Sequence, residues 1–162
     1  MIVGILSDSH GRCEPVRRAL NLFDQAGAEY LIHCGDVGGM DVFDLLAGRA
    51  CTYVWGNCDD PDPALERYVA GLGLPLPAAV PVVLTLAART LAVFHGHERP
   101  FLSALHRPST DYVLHGHSHV RRDERVGTAR VINPGALHRA RPPSVATLDL
   151  ARDVLAFHEL PS

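Results

Sequence analysis

Residues 2–6 (IVGIL) form an unbroken apolar run, the pattern of a short strand covered on both faces. After the polar loop 7–12, Pro15 stands near a helix start. Val16, Ala19, Leu20, Phe23 and Ala26 then recur at 3.6-residue spacing, which predicts an amphipathic helix closed by Gly27. Strands are predicted at 30–34 (YLIHC) and 51–55 (CTYVW), with a shorter helix over 41–47 between them. Asp62 and Pro63 suit an N-cap and first helical position, for a segment whose Leu65, Tyr68, Val69 and Leu72 share one inward face. Strands alternating with helices in this way build βαβ units and a parallel sheet.

The Gly/Pro-rich stretch 71–81 resembles a linker, yet strands rather than a new βα series follow it, so it reads as an internal loop. From residue 80 the pattern becomes mostly β: VPVVLTL, TLAVFH, YVLHG, VRRDERV, ARVIN, SVATLDL and VLAFHEL, with only 101–106 (FLSALH) helical. Strands early and late with helices between them predict an α/β sandwich of two sheets packed face to face, with helices outside. A chain of 162 residues suits one domain, 1–162.

Composition narrows the setting. Hydrophobic residues make up 47% and charged residues 20%, an ordinary globular balance that excludes a disordered or fibrous chain. The fifteen basic residues are all arginine, and a net charge of −3 argues against stable nucleic-acid binding, although a nucleic-acid fragment remains open as a substrate. No apolar run nears the ~18–20 residues of a membrane span. Met1 leads straight into the first strand with no leader pattern, so the expected location is the cytoplasm. Cys13, Cys34, Cys51 and Cys58 fall in no disulfide or zinc spacing and read as reduced thiols.

Ten histidines are the feature composition leaves unexplained. Polar residues follow each predicted strand in a repeated manner: Asp8 and His10, then Gly35 and Asp36, Gly56 and Asn57, His95 and His97, and His117 and His119. Any one of these is an ordinary turn. Five together are not, because ligand sites in α/β sheets form outside the carboxyl ends of the strands. Two carboxylates, one amide oxygen and four imidazoles form a mixed O/N donor set suited to Mn²⁺, Fe²⁺, Zn²⁺, Co²⁺ or Ni²⁺. Seven donors exceed one tetrahedral ion and suit two ions about 3.5–4 Å apart sharing a carboxylate, the arrangement that activates water for phosphoester hydrolysis.

DSH at 8–10, GD at 35–36, GNCD at 56–59, HGH at 95–97, GHSH at 116–119 and NPG at 133–135 together resemble the calcineurin-like metallophosphoesterases, in particular their small prokaryotic phosphodiesterases. The resemblance implies a four-layer αββα sandwich of two mixed sheets. It also implies one metal on Asp8, His10, Asp36 and His119 and a second on Asp36, Asn57, His95 and His117, with Asp36 bridging and manganese foremost among the ions. The expected reaction is attack on phosphorus by a metal-bridging hydroxide.

Cys58 departs from the GNH of larger members, whose histidine is credited with helping the leaving group. A thiol holds no positive charge there and is a poor proton donor to an alkoxide; the resemblance to the small branch with cysteine at this place, linked with phosphodiesters and activated leaving groups, implies a small phosphodiester, a nucleotide included, rather than a monoester. Phosphomonoesterase or nucleotide phosphatase activity is the alternative, and an interaction scaffold like the related retromer subunit is a second. Homo-oligomerisation is an open expectation of the family.

Among other residues, His97 is expected to face the pocket as a substrate contact or proton donor, Arg12 to meet a substrate phosphate, and Cys58, with no catalytic role, either to touch substrate or to fill space beside the site. Asp59 is a candidate to orient an imidazole. Arg99, Arg139 and Arg141 read as surface charge, and His33, His106, His115, His138 and His158 as structural or solvated. Trp55 is expected to pack within the third strand.

Overall fold

The protein is described by a computed structural model that covers residues 1–105 and 109–161. One five-stranded sheet has the order β10-β9-β1-β2-β3, built from β1 (Ile2–Leu6), β2 (Tyr30–His33), β3 (Cys51–Tyr53), β9 (Ser144–Asp149) and β10 (Val154–Glu159). The second has the order β4-β5-β6-β8-β7, from β4 (Val82–Leu86), β5 (Arg89–Val93), β6 (Tyr112–Leu114), β7 (Arg122–Val126) and β8 (Ala129–Asn133). In the first sheet β1, β2 and β3 run parallel, with Ile5 opposite Ile32 and Ile32 opposite Thr52, while β9 and β10 are antiparallel additions. In the second, β5, β6 and β8 are parallel and β4 and β7 are antiparallel edges.

Alternation along the strands explains the layers. Val3, Ile5 and Ile32 point into a shared interior with Leu91, Val93, Leu114 and Ile132 of the other sheet, all of them fully buried. The opposite face of the first sheet is covered by α1 (Cys13–Gln25), α2 (Met40–Leu46) and α3 (Pro63–Gly71). Val16, Ala19, Leu20 and Phe23 are the buried residues of α1, at the predicted spacing, and each large side chain among them contributes about 1.5–3 kcal/mol by burial. The outer face of the second sheet, carrying Ala92, Phe94, Val113 and Val131, meets Phe101 and Leu105 around the short α4 (Pro100–Ala104). The result is the expected α/β sandwich with helices on both outer faces.

Some expectations shift locally. Asp62 caps α3 by accepting from the backbone of Ala64 and Leu65, yet of the predicted inward face only Val69 is buried; Tyr68 is exposed and its hydroxyl donates to Asp44 Oδ1 at 2.5 Å. Trp55 lies beyond β3, its ring 5.0 Å from Tyr53 and 5.6 Å from Phe43, because the strand ends at Tyr53 where the chain turns into the GN loop. The helix predicted at 101–106 begins at Pro100, and His106 lies outside the described residues. Parallel strands β1, β2, β3, β5 and β6 all end on one side, which gathers the five polar loops there.

Candidate metal centre

The loops leave their strands sharply. Asp8, His10, Asp36, His117 and His119 all adopt left-handed backbone conformations, with φ of 56°, 45°, 53°, 66° and 58°. Each such non-glycine residue costs on the order of 1–3 kcal/mol and persists only where surrounding bonds hold it. Here Asp8 N–H donates to Gly35 O at 3.0 Å and His10 N–H to Asp36 O at 2.9 Å, lacing the first two loops together, while Gly116 N–H donates to His95 O at 2.8 Å. Two glycines are steric requirements of this packing. A Cβ on Gly56 would stand 2.0 Å from Asp36 Oδ1, and one on Gly116 would stand 1.8 Å from Ser7 Oγ.

Side chains from all five loops meet. Asp36 Oδ2 lies 3.5 Å from His10 Nε2 and 3.4 Å from His95 Nε2, so one carboxylate oxygen separates the two imidazoles. Asp8 Oδ1 is 3.2 Å from His119 Nε2, and Asn57 Oδ1 is 3.0 Å from His95 Nε2. His117 joins through its ring, 5.0 Å from that of His95, and its N–H donates to Asp8 Oδ2 at 3.3 Å. Ligand atoms of Asp8, His10 and His119, and of Asp8, Asp36 and His95, lie within 4.8 Å of one another. A third trio, His10, Asp36 and Cys58, meets the same limit, so the Cys58 thiol borders the donor set.

The arrangement fits divalent cations on the chemistry of its own donors. His95 Nδ1–H donates to Cys34 O at 2.8 Å, which leaves the neutral ring with a lone pair on Nε2. In that form the lone pair faces a carboxylate and an amide oxygen across 3.0–3.4 Å, a meeting of acceptors that a divalent cation between them would satisfy. Asp8 Oδ1 and His10 Nε2 are likewise buried and without a hydrogen-bond partner among the described residues.

Burial holds the Asp8 carboxyl above its ordinary range, outweighing a Ser7 hydrogen bond and the nearby His95 and His119. Burial acts on Asp36 in the same direction. There the backbone bond from Cys58 (2.8 Å) leads the opposing influences that prevail, so Asp36 falls below the usual carboxylate range. The Cys58 thiol is pushed up, chiefly by its hydrogen bond with Asp36.

The supporting residues are partly those sequence reasoning missed. Glu98 accepts the N–H groups of His95 (2.8 Å) and Gly96 (2.6 Å) and so fixes the HGH loop; a carboxylate three residues past a strand end was its only signal. Asp59 orients no imidazole. Its carboxylate takes the N–H groups of Val37, Gly38 and Gly56, tying the GD loop to the GN loop. Asn133 of the NPG motif donates to Gly116 O at 2.8 Å and Ser118 Oγ at 3.1 Å, holding the GHSH turn.

Buried His33 donates to Ser9 Oγ, which in turn donates to Val37 O; complete burial pushes its pKa down to about 3. Burial likewise lowers His115 to about 4. His158 pairs with Thr147 Oγ1 at 2.8 Å, away from the centre. His138 is no isolated surface histidine: its ring lies 5.3 Å from that of His10, a contact that no spacing in the chain announces. His97 is exposed at the rim, 5.4 Å ring to ring from His95 and 6.1 Å from His117. Arg12 is exposed at the N-cap position of α1.

The model of the calcineurin-like phosphoesterase superfamily domain matches residues 1–153. Phosphodiesterase MJ0936 of Methanocaldococcus jannaschii is 30% identical over 140 residues, 83% of each chain. Phosphodiesterase YfcE of Escherichia coli K12 is 30% identical over 171 residues, covering 93% of this chain and 87% of that one. The solved structure of an archaeal phosphodiesterase superposes with a TM-score of 0.88 at 25% identity, over 99% of this chain and 100% of the other.

Proposed function

Since the chain belongs to the calcineurin-like phosphoesterase superfamily and is a metal-dependent phosphoester hydrolase, we propose that it cleaves a small phosphodiester at a centre for two divalent ions. In this reading Asp8, His10, Asp36 and His119 hold one ion and Asp36, Asn57, His95 and His117 the other, with Mn²⁺ the ion expected. The observation that carries it is Asp36 Oδ2, a single oxygen 3.5 Å from His10 Nε2, which has no hydrogen-bond partner among the described residues, and 3.4 Å from His95 Nε2. Bound there, the ions supply a water acidic enough to attack phosphorus near neutral pH and positive charge for the phosphoryl oxygens.

The chain's own groups set the geometry. Cys34 O and Glu98 orient His95, Asp59 holds the loops that present Asp36 and Asn57, and Asn133 steadies the turn that carries His117 and His119. The likeness to two phosphodiesterases at 30% identity supports a diester rather than a monoester as substrate, and Cys58 brings no positive charge to the departing alkoxide. His97, at the rim beside His95 and His117, is the imidazole placed to touch substrate or give the leaving group a proton. Among the described residues no helix is long and apolar enough to cross a membrane. All four cysteines are free thiols, which supports a reducing compartment such as the cytoplasm.

The test is hydrolysis of bis-p-nitrophenyl phosphate and p-nitrophenyl phosphate by chelator-stripped protein, with and without added Mn²⁺. Metal-restored cleavage favouring the diester is expected. A preference for the monoester would make the protein a phosphatase, and no cleavage with Mn²⁺, Fe²⁺, Co²⁺, Ni²⁺ or Zn²⁺ would overturn the reading.

A further inference from the structure

Beside the centre lies a cleft of about 320 Å³, the size of a small-molecule site, lined in part by His138, whose ring is 5.3 Å from that of His10. Arg12, Glu14, Arg18, His138, Arg139 and Arg141 supply its polar lining. Its one carboxylate is engaged: Glu14 pairs with Arg18 at 3.1 Å, and Arg18 also donates to Pro161 O at 2.6 Å. Arg12, Arg139 and Arg141 have no carboxylate partner among the described residues, unlike Arg49 with Asp24, Arg89 with Asp111 and Arg130 with Asp123 and Asp153; what sets these three apart from other unpaired arginines is that they line one cleft together.

The arginines belong to a segment docked on the centre rather than to a free surface loop. Leu137 N–H donates to Ser7 O at 3.1 Å and His138 N–H to Asp8 O at 3.0 Å, so the chain after the NPG motif is fastened to the end of β1. Arg139 follows in a left-handed backbone conformation, φ 57°. Arg139 and Arg141 also line an adjoining depression that reaches His119. One continuous cationic surface therefore runs from the centre into the cleft.

We propose that this cleft binds a second phosphate carried by the substrate, so that the preferred substrate class is a phosphodiester bearing a terminal phosphate monoester one unit from the scissile linkage. The proposal rests on the diesterase reading for the identity of the scissile bond. Guanidinium groups bind phosphate through paired N–H donors, and unpaired arginines favour a dianionic terminal phosphate over a neutral end. Arg139 and Arg141 are then specificity residues rather than surface charge, and Arg12 meets the distal phosphate, not the scissile one.

The test separates the two readings. Chelator-stripped protein is titrated calorimetrically with a thymidine dinucleotide carrying a 5′-phosphate and with the same dinucleotide lacking it. The terminal phosphate is expected to tighten binding by about tenfold or more, a gain lost in the Arg12→Ala/Arg139→Ala double variant and partly restored by Arg12→Lys/Arg139→Lys, which keeps the charge but not the fork. Equal affinity for the two dinucleotides, binding of neither, or a gain that survives in the double alanine variant would overturn the proposal. Hydrolysis of bis-p-nitrophenyl phosphate by the Mn²⁺-loaded protein reports independently on the diesterase reading. If that ester is cleaved while the dinucleotides bind equally, only the cleft is refuted. If it is not cleaved, the diesterase reading fails while a phosphate-dependent gain in binding would still stand.

Discussion

Asp36 occupies the position between His10 and His95, with one oxygen 3.5 Å and 3.4 Å from their Nε2 atoms. Replacing it with alanine removes the one acceptor shared by both halves of the centre. On the proposed two-ion centre, Asp36→Ala is expected to lower bound metal towards one ion or none and to cut hydrolysis by at least about a hundredfold. Elemental analysis of reloaded protein, paired with the diester assay, checks this; two retained ions at full rate would exclude the assignment. Cys58 makes a second test at this scale, since its thiol sits with His10 and Asp36 but brings no cation to the leaving group. Cys58→His should raise monoesterase relative to diesterase activity severalfold, and an unchanged ratio would reduce Cys58 to a packing role.

Loops and helix ends carry different burdens. Asp59 accepts three backbone N–H groups and joins the loops after β2 and β3, while Asp62, three residues on, caps α3 alone. Asp59→Ala strands three donors and should cost about 1–3 kcal/mol and lower the diesterase rate at least several-fold, because Asp36 and Asn57 lose their common anchor. Asp62→Ala should cost about 1 kcal/mol with no change in rate. Urea melts beside initial rates distinguish them; equal effects on rate would show that Asp59 does no more than a cap. The periodicity of α1 and the Asp62-Pro63 start of α3 were legible in the chain because helix signals are local. The service of Asp59 to backbone amides 22 and 21 residues away was not, since a carboxylate in a turn looks the same whichever N–H it accepts.

For the whole molecule, burial of neutral imidazoles sets a pH response. His33 is held down to about 3 and His115 to about 4, both chiefly by burial, against an unfolded value near 6.5. Below about pH 6.5 the unfolded chain takes up protons that the fold refuses, so stability is full above that pH and falls as pH drops towards the folded values. Each group adds a slope approaching about 1.4 kcal/mol per pH unit. Asp8, whose acid form the fold favours, offsets part of this at the acid end. The urea midpoint of metal-stripped protein should fall clearly between pH 7 and pH 5, and an unchanged midpoint would contradict the buried neutral state. The alternation of strands and helices, the five polar strand ends and the glycines beside them stood in the sequence, because secondary structure and the side of a sheet on which loops emerge follow from local periodicity and chain direction. Tertiary structure alone decided that His138 would touch His10, that Asn133 would hold the GHSH turn, and that Arg12 would share a cleft with Arg139 and Arg141. Those partners come from chain segments 17 to 129 residues apart, and only strand pairing within a sheet and the closing of two sheets over a common core bring them within reach.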